Sequence, residues 1–254
     1  MASFKDHFSA LAAQYAAFRP TYPPELFDYL ASACGERRLV WDCACGNGQA
    51  SLPLAQHFEA VVASDASAQQ IAAASPHPRI SYRVASESQS GLEPGSVDLV
   101  TVAQALHWLN LEGFYAEVKC VLAPRGLLAV WTYAVPRARE PDIDDAIARF
   151  ASETVGPWWP PERRLVDSGY RTLPFPFAEL ASPPFHMEQR WPLPHFLGYA
   201  RSWSATARYV ADKGVDPVLA LGEELETMWG APEVERSIIW PLSLRVGACA
   251  PSPI

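Results

Sequence analysis

The sequence predicts a doubly wound α/β fold with a mostly parallel sheet. Five short apolar runs, at 39–43, 60–64, 80–84, 97–103 and 127–132, are bounded by turn residues, as strands buried on both faces are. Helix-length stretches at 49–58, 66–74 and 111–122 lie between them, and parallel strands require such crossovers. The composition then changes: sixteen of the 24 prolines and six of the nine tryptophans lie beyond residue 135. That shift predicts a cap built on the sheet rather than a continuation of the same alternation.

The flanking segments follow from spacing. Phe4, Phe8, Leu11 and Tyr15 recur at helical intervals, and Pro23-Pro24 opens a second helix through about Ala33. Beyond 135, a helix over 142–154 places Ile143, Ile147 and Phe150 on one face, and the prolines of Pro157-Trp158-Trp159-Pro160-Pro161 end it. Segments 185–191 and 237–245 read as strands with helices between them. One domain over 1–254 is expected, with an N-terminal helical lid (1–34), a core (35–135) and a cap (136–254).

Composition narrows the function classes. Apolar residues make up 49% and charged residues 19% of the 254, an ordered globular balance. A net charge of −8 without a basic stripe argues against nucleic acid and against a membrane surface. The apolar runs are too short to span a bilayer, and the first 18 residues do not read as a secretory signal, so a cytoplasmic protein is expected. The five cysteines are expected as reduced thiols, and Cys43-x-Cys45 lacks the second pair that zinc would need.

The strongest motif is Val40-Trp41-Asp42-Cys43-Ala44-Cys45-Gly46-Asn47-Gly48-Gln49-Ala50, between the first strand and a helix. Its glycines let a ligand approach the backbone, and the helix start offers N–H groups to an anion. A plain structural turn fits the same residues. Asp65 ends the second strand, 19 residues after Gly46, where a carboxylate can accept from both hydroxyls of a ribose. Capping the next helix is its other reading. The dinucleotide register G-x-G-x-x-G fails at Ala44 and Gln49, which disfavours a nicotinamide oxidoreductase. Asp42, two residues before the loop, suits a ligand with an ammonium group instead.

At this point the chain resembles the class I S-adenosylmethionine (SAM) dependent methyltransferases, whose loop is roughly D-x-G-x-G-x-G. Further similarity lies in Ser96-Val97-Asp98-Leu99-Val100-Thr101, in Ala103-Gln104-Ala105-Leu106-His107-Trp108, and in Glu117-Val118-x-x-Val121-Leu122-x-Pro124-x-Gly126. Tyr15-x-x-x-Arg19-Pro20-x-Tyr22-Pro23 is similar to the lid of the trans-aconitate methyltransferase branch. The resemblance implies a seven-stranded Rossmann-like sheet whose last two strands are 185–191 and 237–245. It implies that Asp42 organises the loop at the methionine end, that Ala44, Gly46 and Gly48 line it, and that Asp65 holds the ribose. It also places Gln104, Tyr15 and Arg19 at the cofactor.

Three positions depart from the family pattern. Ala44 replaces a glycine, harmless only at negative φ. Arg125 stands where a second glycine is common, and Ala85 replaces an acid that takes the adenine amine, leaving adenine to Ser86 and Glu87. The expected reaction is methyl transfer from SAM to a small-molecule acceptor, with a carboxylic acid suggested by the lid. His107 is a candidate general base, or a packed histidine at a strand end. Arg19 reads equally as a surface ion-pair partner. The cap tryptophans read as pocket wall or as core. A SAM- or nucleoside-binding regulatory module without catalysis is the rival from another class.

Overall fold

Strand pairing carries the architecture of the computed structural model, which describes residues 19–249. The helix expected around Phe4 to Tyr15 lies outside the described residues. Strands β1 (Leu39–Cys43), β2 (Ala60–Asp65), β3 (Ile80–Val84), β4 (Val97–Ala103) and β5 (Leu122–Tyr133) pair in parallel in the order β3-β2-β1-β4-β5. Beyond β5 the sheet turns antiparallel through β9 (Arg236–Ala248). Short β6 (Arg137–Ala138) continues the β5 side of β9. The other side of β9 takes β7 (Ala178–Leu180) and β8 (Phe185–Trp191). Ile238 pairs with both Ala138 and Gln189, and Gly247 with both Leu128 and Glu179, so nine strands fill seven positions across the sheet. The expected sheet, including its last two strands, is therefore present.

Alternation along the strands builds two apolar layers. Val40, Ala129 and Trp131 face one layer, and Trp41, Leu128 and Val130 face the other. The first layer receives α1 (Pro24–Ala33), α2 (Ser51–His57) and the cap helices α5 (Pro141–Arg149), α7 (Leu193–Arg201), α8 (Ser204–Lys213) and α9 (Val218–Trp229). The short α3 (Ala68–Ala72) adds Ile71 at its edge. The second layer receives α4 (Leu111–Val121) and α6 (Arg163–Asp167). Gly126 lets β5 close on β4, because a Cβ there would lie 2.7 Å from the Val97 carbonyl oxygen.

Helix boundaries shift by a few residues for physical reasons. Helix α2 begins at Ser51 rather than near Gln49, because residues 44–50 are spent in turns. Proline starts α1 and α5 at their first helical positions, where a missing N–H costs nothing. Asp144 is 8% exposed; its carboxylate accepts from Arg137 Nε at 2.8 Å and from the Ala138 amide at 2.9 Å, which ties β6 to α5. Trp191, Trp203, Trp229 and Trp240 are buried, and Trp240 Nε1 donates to Tyr199 Oη at 2.9 Å. These four are cap core, not pocket wall.

Candidate active site

Every parallel strand of the sheet delivers residues to one cavity at its carboxyl end. The cavity has a volume of about 610 Å³. After β1 it is lined by Ala44, Cys45 and Gly46, after β2 by Asp65 and Ser67, and after β3 by Ala85, Ser86 and Glu87. After β4 come Gln104, His107 and Trp108, and the end of β5 supplies Tyr133. Tyr22 and Glu162 close the wall. Open α/β sheets bind ligands at this end, where strand order reverses between β1 and β4.

The loop after β1 is held by hydrogen bonds to β2. Cys45 N donates to the Ser64 carbonyl at 3.0 Å, and Gly46 N donates to Asp65 Oδ2 at 2.9 Å. Asp65 Oδ1 accepts from Ser67 N at 2.8 Å, and Ser67, not Asp65, caps α3. Asp65 thus fixes the loop with the same carboxylate that faces the cavity. Ala44 sits at φ +53, left-handed like Gly46 at +56 and Gly48 at +89, so the negative φ that would make its methyl harmless is not adopted. Gly48 is required sterically as well, since a Cβ would lie 2.4 Å from Tyr82 Oη.

Asp42 lies behind this loop and off the cavity wall. It is fully buried, and its carboxylate accepts from Ser51 Oγ at 2.5 Å and Thr101 Oγ1 at 2.8 Å. Those bonds join β1 to the start of α2 and to β4, while burial pushes the carboxyl up to about 6. Burial, with the nearby Asp42 carboxylate second, raises the thiols of Cys43 and Cys45, so neither is a ready nucleophile. Glu87 Oε1 accepts from Asn110 N at 3.1 Å, and Ser86 Oγ lies 3.3 Å from Ser88 Oγ.

The remaining predicted residues divide. Gln104 lines the cavity, but its amide is bonded to the end of β5: Oε1 accepts from Thr132 Oγ1 and Tyr133 N, both at 2.8 Å, and Nε2 donates to the Tyr133 carbonyl at 3.0 Å. Arg19 lies off the wall and joins Tyr133 Oη, the Ser202 carbonyl and the Tyr199 ring. Tyr15 lies outside the described residues. His107 faces the cavity, its Nδ1 2.7 Å from Tyr170 Oη. Burial lowers its pKa to about 4, with Glu162 opposing and Arg163 adding to the shift. Trp131, at the end of β5, is fully buried against Tyr22 and Phe27.

Several partners here escape sequence reading. Thr101 is one of two polar residues, with Asp98, in the otherwise apolar β4 run, and it lies opposite Asp42 in register. Glu162 and Tyr170 carried no local signal, because only folding of the cap brings them to the strand ends.

The family model described as a methyltransferase domain matches residues 41–130. A Dictyostelium discoideum protein that carries the name of a methyltransferase is 33% identical over 87% of this chain and 86% of its own length. A solved structure from Anaeromyxobacter dehalogenans, named for a type II methyltransferase, is 44% identical, with a TM-score of 0.88 over 92% of this chain and 99% of its own. The chain belongs to the class I SAM-dependent methyltransferases. A Saccharomyces cerevisiae relative named for an S-adenosylmethionine-dependent methyltransferase is 31% identical over 49% of this chain and 46% of its own length.

A methyltransferase of this class implies SAM, and the donor set fits it. A carboxylate stands at the end of β2, and left-handed turns open the backbone between β1 and α2. The cavity falls within the usual range for a small-molecule site, ~300–1,000 Å³. Among the described residues, no helix is long and apolar enough to cross a membrane.

Proposed function

We propose that this methyltransferase transfers the methyl group of SAM to a small-molecule acceptor held between the ends of β4 and β5 and the 157–170 segment of the cap. One observation carries the reading: a single cavity joins the glycine loop and Asp65 to His107, Tyr133 and Glu162. SAM, when bound, supplies a methyl carbon on a positively charged sulfur; an acceptor lone pair takes that carbon as the sulfur–carbon pair returns to sulfur. Gly46 and Ala44 would lie along the methionine portion, Asp65 would bind the ribose, and Ser86 and Glu87 would face adenine. Asp42 acts from behind by holding Ser51 and Thr101. The protein's share of catalysis is positioning of the donor methyl against the acceptor.

Charge at the acceptor end favours a neutral or cationic acceptor over a free carboxylic acid. Glu162 is the charged group there, and no Lys or Arg lines the cavity among the described residues. The net charge of −8 supports an enzyme without nucleic-acid partners, and a cytoplasmic location is proposed with it. The test is transfer of label from methyl-labelled SAM into a metabolite extract and into panels of amines, phenols and carboxylic acids. Labelled product that disappears in Asp65→Asn is expected. Tight SAM binding with no labelled product from any source would favour the regulatory module instead.

A further inference from the structure

Three non-glycine residues among those described adopt positive φ: Ala44, Gln104 and Tyr170. The first two line the cavity, and the third touches it through His107. For a bulky aromatic residue this conformation is an outlier, kept only when its surroundings over-determine it. Tyr170, at φ +62, is held in that way. Its N–H donates to the Leu165 carbonyl at 2.9 Å, and its carbonyl accepts from Arg245 Nη1 at 2.9 Å. Arg245, on β9, also pairs with Glu179 of β7, which holds its guanidinium in place. Gly169 precedes it at φ +61, and a Cβ there would lie 2.5 Å from Ser243 Oγ, so the turn is pressed against β9.

The product of this strain is one contact, Tyr170 Oη to His107 Nδ1 at 2.7 Å from a fully buried phenol. An N–H donor to oxygen ordinarily lies at ~2.9–3.0 Å, whereas hydroxyl donors sit closer. A phenol donating to Nδ1 fits the 2.7 Å contact, and that arrangement leaves the ring proton on Nε2.

We propose that Tyr170 is a positioning residue that locks His107 in the Nε2–H tautomer, so that His107 meets the acceptor as a hydrogen-bond donor and not as a general base. This rests on the cavity's reading as an acceptor site, since His107 lies on its wall. The groups facing the ring are Glu162, Arg163 and Tyr170 with Trp108 against it, and burial outweighs Glu162 in keeping it neutral. A proton lost by an amine or phenol then leaves to solvent, and the pH profile of transfer follows the acceptor's own pKa.

Nitrogen-15 NMR of the histidine rings in the full chain tests the tautomer without SAM or acceptor, with His107→Gln assigning the signals. Failure of the tautomer is thereby separate from failure of labelled methyl transfer. The expected wild-type spectrum has Nδ1 bare and Nε2 protonated, unchanged from about pH 8 to about pH 5. In Tyr170→Phe the ring should sample both tautomers, while burial, the main cause of its lowered pKa, still holds it neutral over that range. A protonated Nδ1 in the wild type, or a Tyr170→Phe spectrum identical to wild type, overturns the proposal. If Tyr170→Phe does not fold, the wild-type tautomer alone decides.

Discussion

Replacing Ala44 by glycine should stabilise the fold without weakening SAM binding. Ala44 stands at φ +53, where the Cβ of an L-residue crowds the following carbonyl oxygen at a cost of ~1–2 kcal/mol. Glycine removes that strain, while the added freedom of the unfolded chain takes back ~0.4–1 kcal/mol. The lost methyl lies on a half-exposed cavity wall, so no sealed void is left behind. The net gain is ~1 kcal/mol, or ~2–4 °C in Tm for a chain of this size. Gln104→Gly provides the opposing control. It relieves a similar φ of +56 but loses three hydrogen bonds to Thr132 and Tyr133, each worth ~0.5–1.5 kcal/mol. Urea unfolding should move the two midpoints in opposite directions at unchanged slope. An Ala44→Gly midpoint at or below wild type would refute the strain argument.

Three further outcomes are expected. Asp65→Asn should weaken SAM binding ~10–100-fold by calorimetry, the worth of a charged acceptor of ~1.5–3 kcal/mol; unchanged affinity in a folded variant would remove Asp65 from the ribose. The Asp42 carboxyl is raised by burial to about 6, so the folded chain holds its proton more tightly than the unfolded one. Its contribution to stability is then full below ~pH 4 and lost as pH rises through about 6, and against Asp42→Asn the wild type should lose ~1–3 kcal/mol across that window. Parallel pH profiles for the two proteins would contradict this. Gly48→Ala should destabilise by more than ~1 kcal/mol, since its Cβ meets Tyr82 Oη and φ is +89. Part of that loss should return in Gly48→Ala/Tyr82→Phe, which removes a buried hydroxyl that has no hydrogen-bond partner among the described residues; equal unfolding midpoints for the single and double variants would place the strain elsewhere.

Much of the core was legible because burial and turn chemistry are local properties. The runs at 39–43, 80–84 and 97–103 are the observed β1, β3 and β4, and 185–191 is β8 without a shift. Strands β1 and β4 are buried on both faces and so must be largely apolar along their length, whereas β3 and β8 keep exposed positions and were legible from their bounding turn residues. Asp65 stood out as an acid ending an apolar strand after a glycine loop, and the fold places it on the cavity wall while its carboxylate also holds that loop. Tertiary structure decided what depends on partners far along the chain. Asp42 turned inward because Thr101, 59 residues away, and Ser51 supply its donors. Gln104 turned to β5 because Thr132 and Tyr133 offer matching groups in register. The sign of φ at Ala44 is set by the bonds of Cys45 and Gly46 to β2, which no residue type reports. Tyr170 reaches His107, 63 residues away, only because Arg245 and Ser243 of β9 press its turn into place. Local sequence carries propensity and burial, whereas hydrogen-bond partners and backbone strain are chosen by whatever the finished sheet brings within 3 Å.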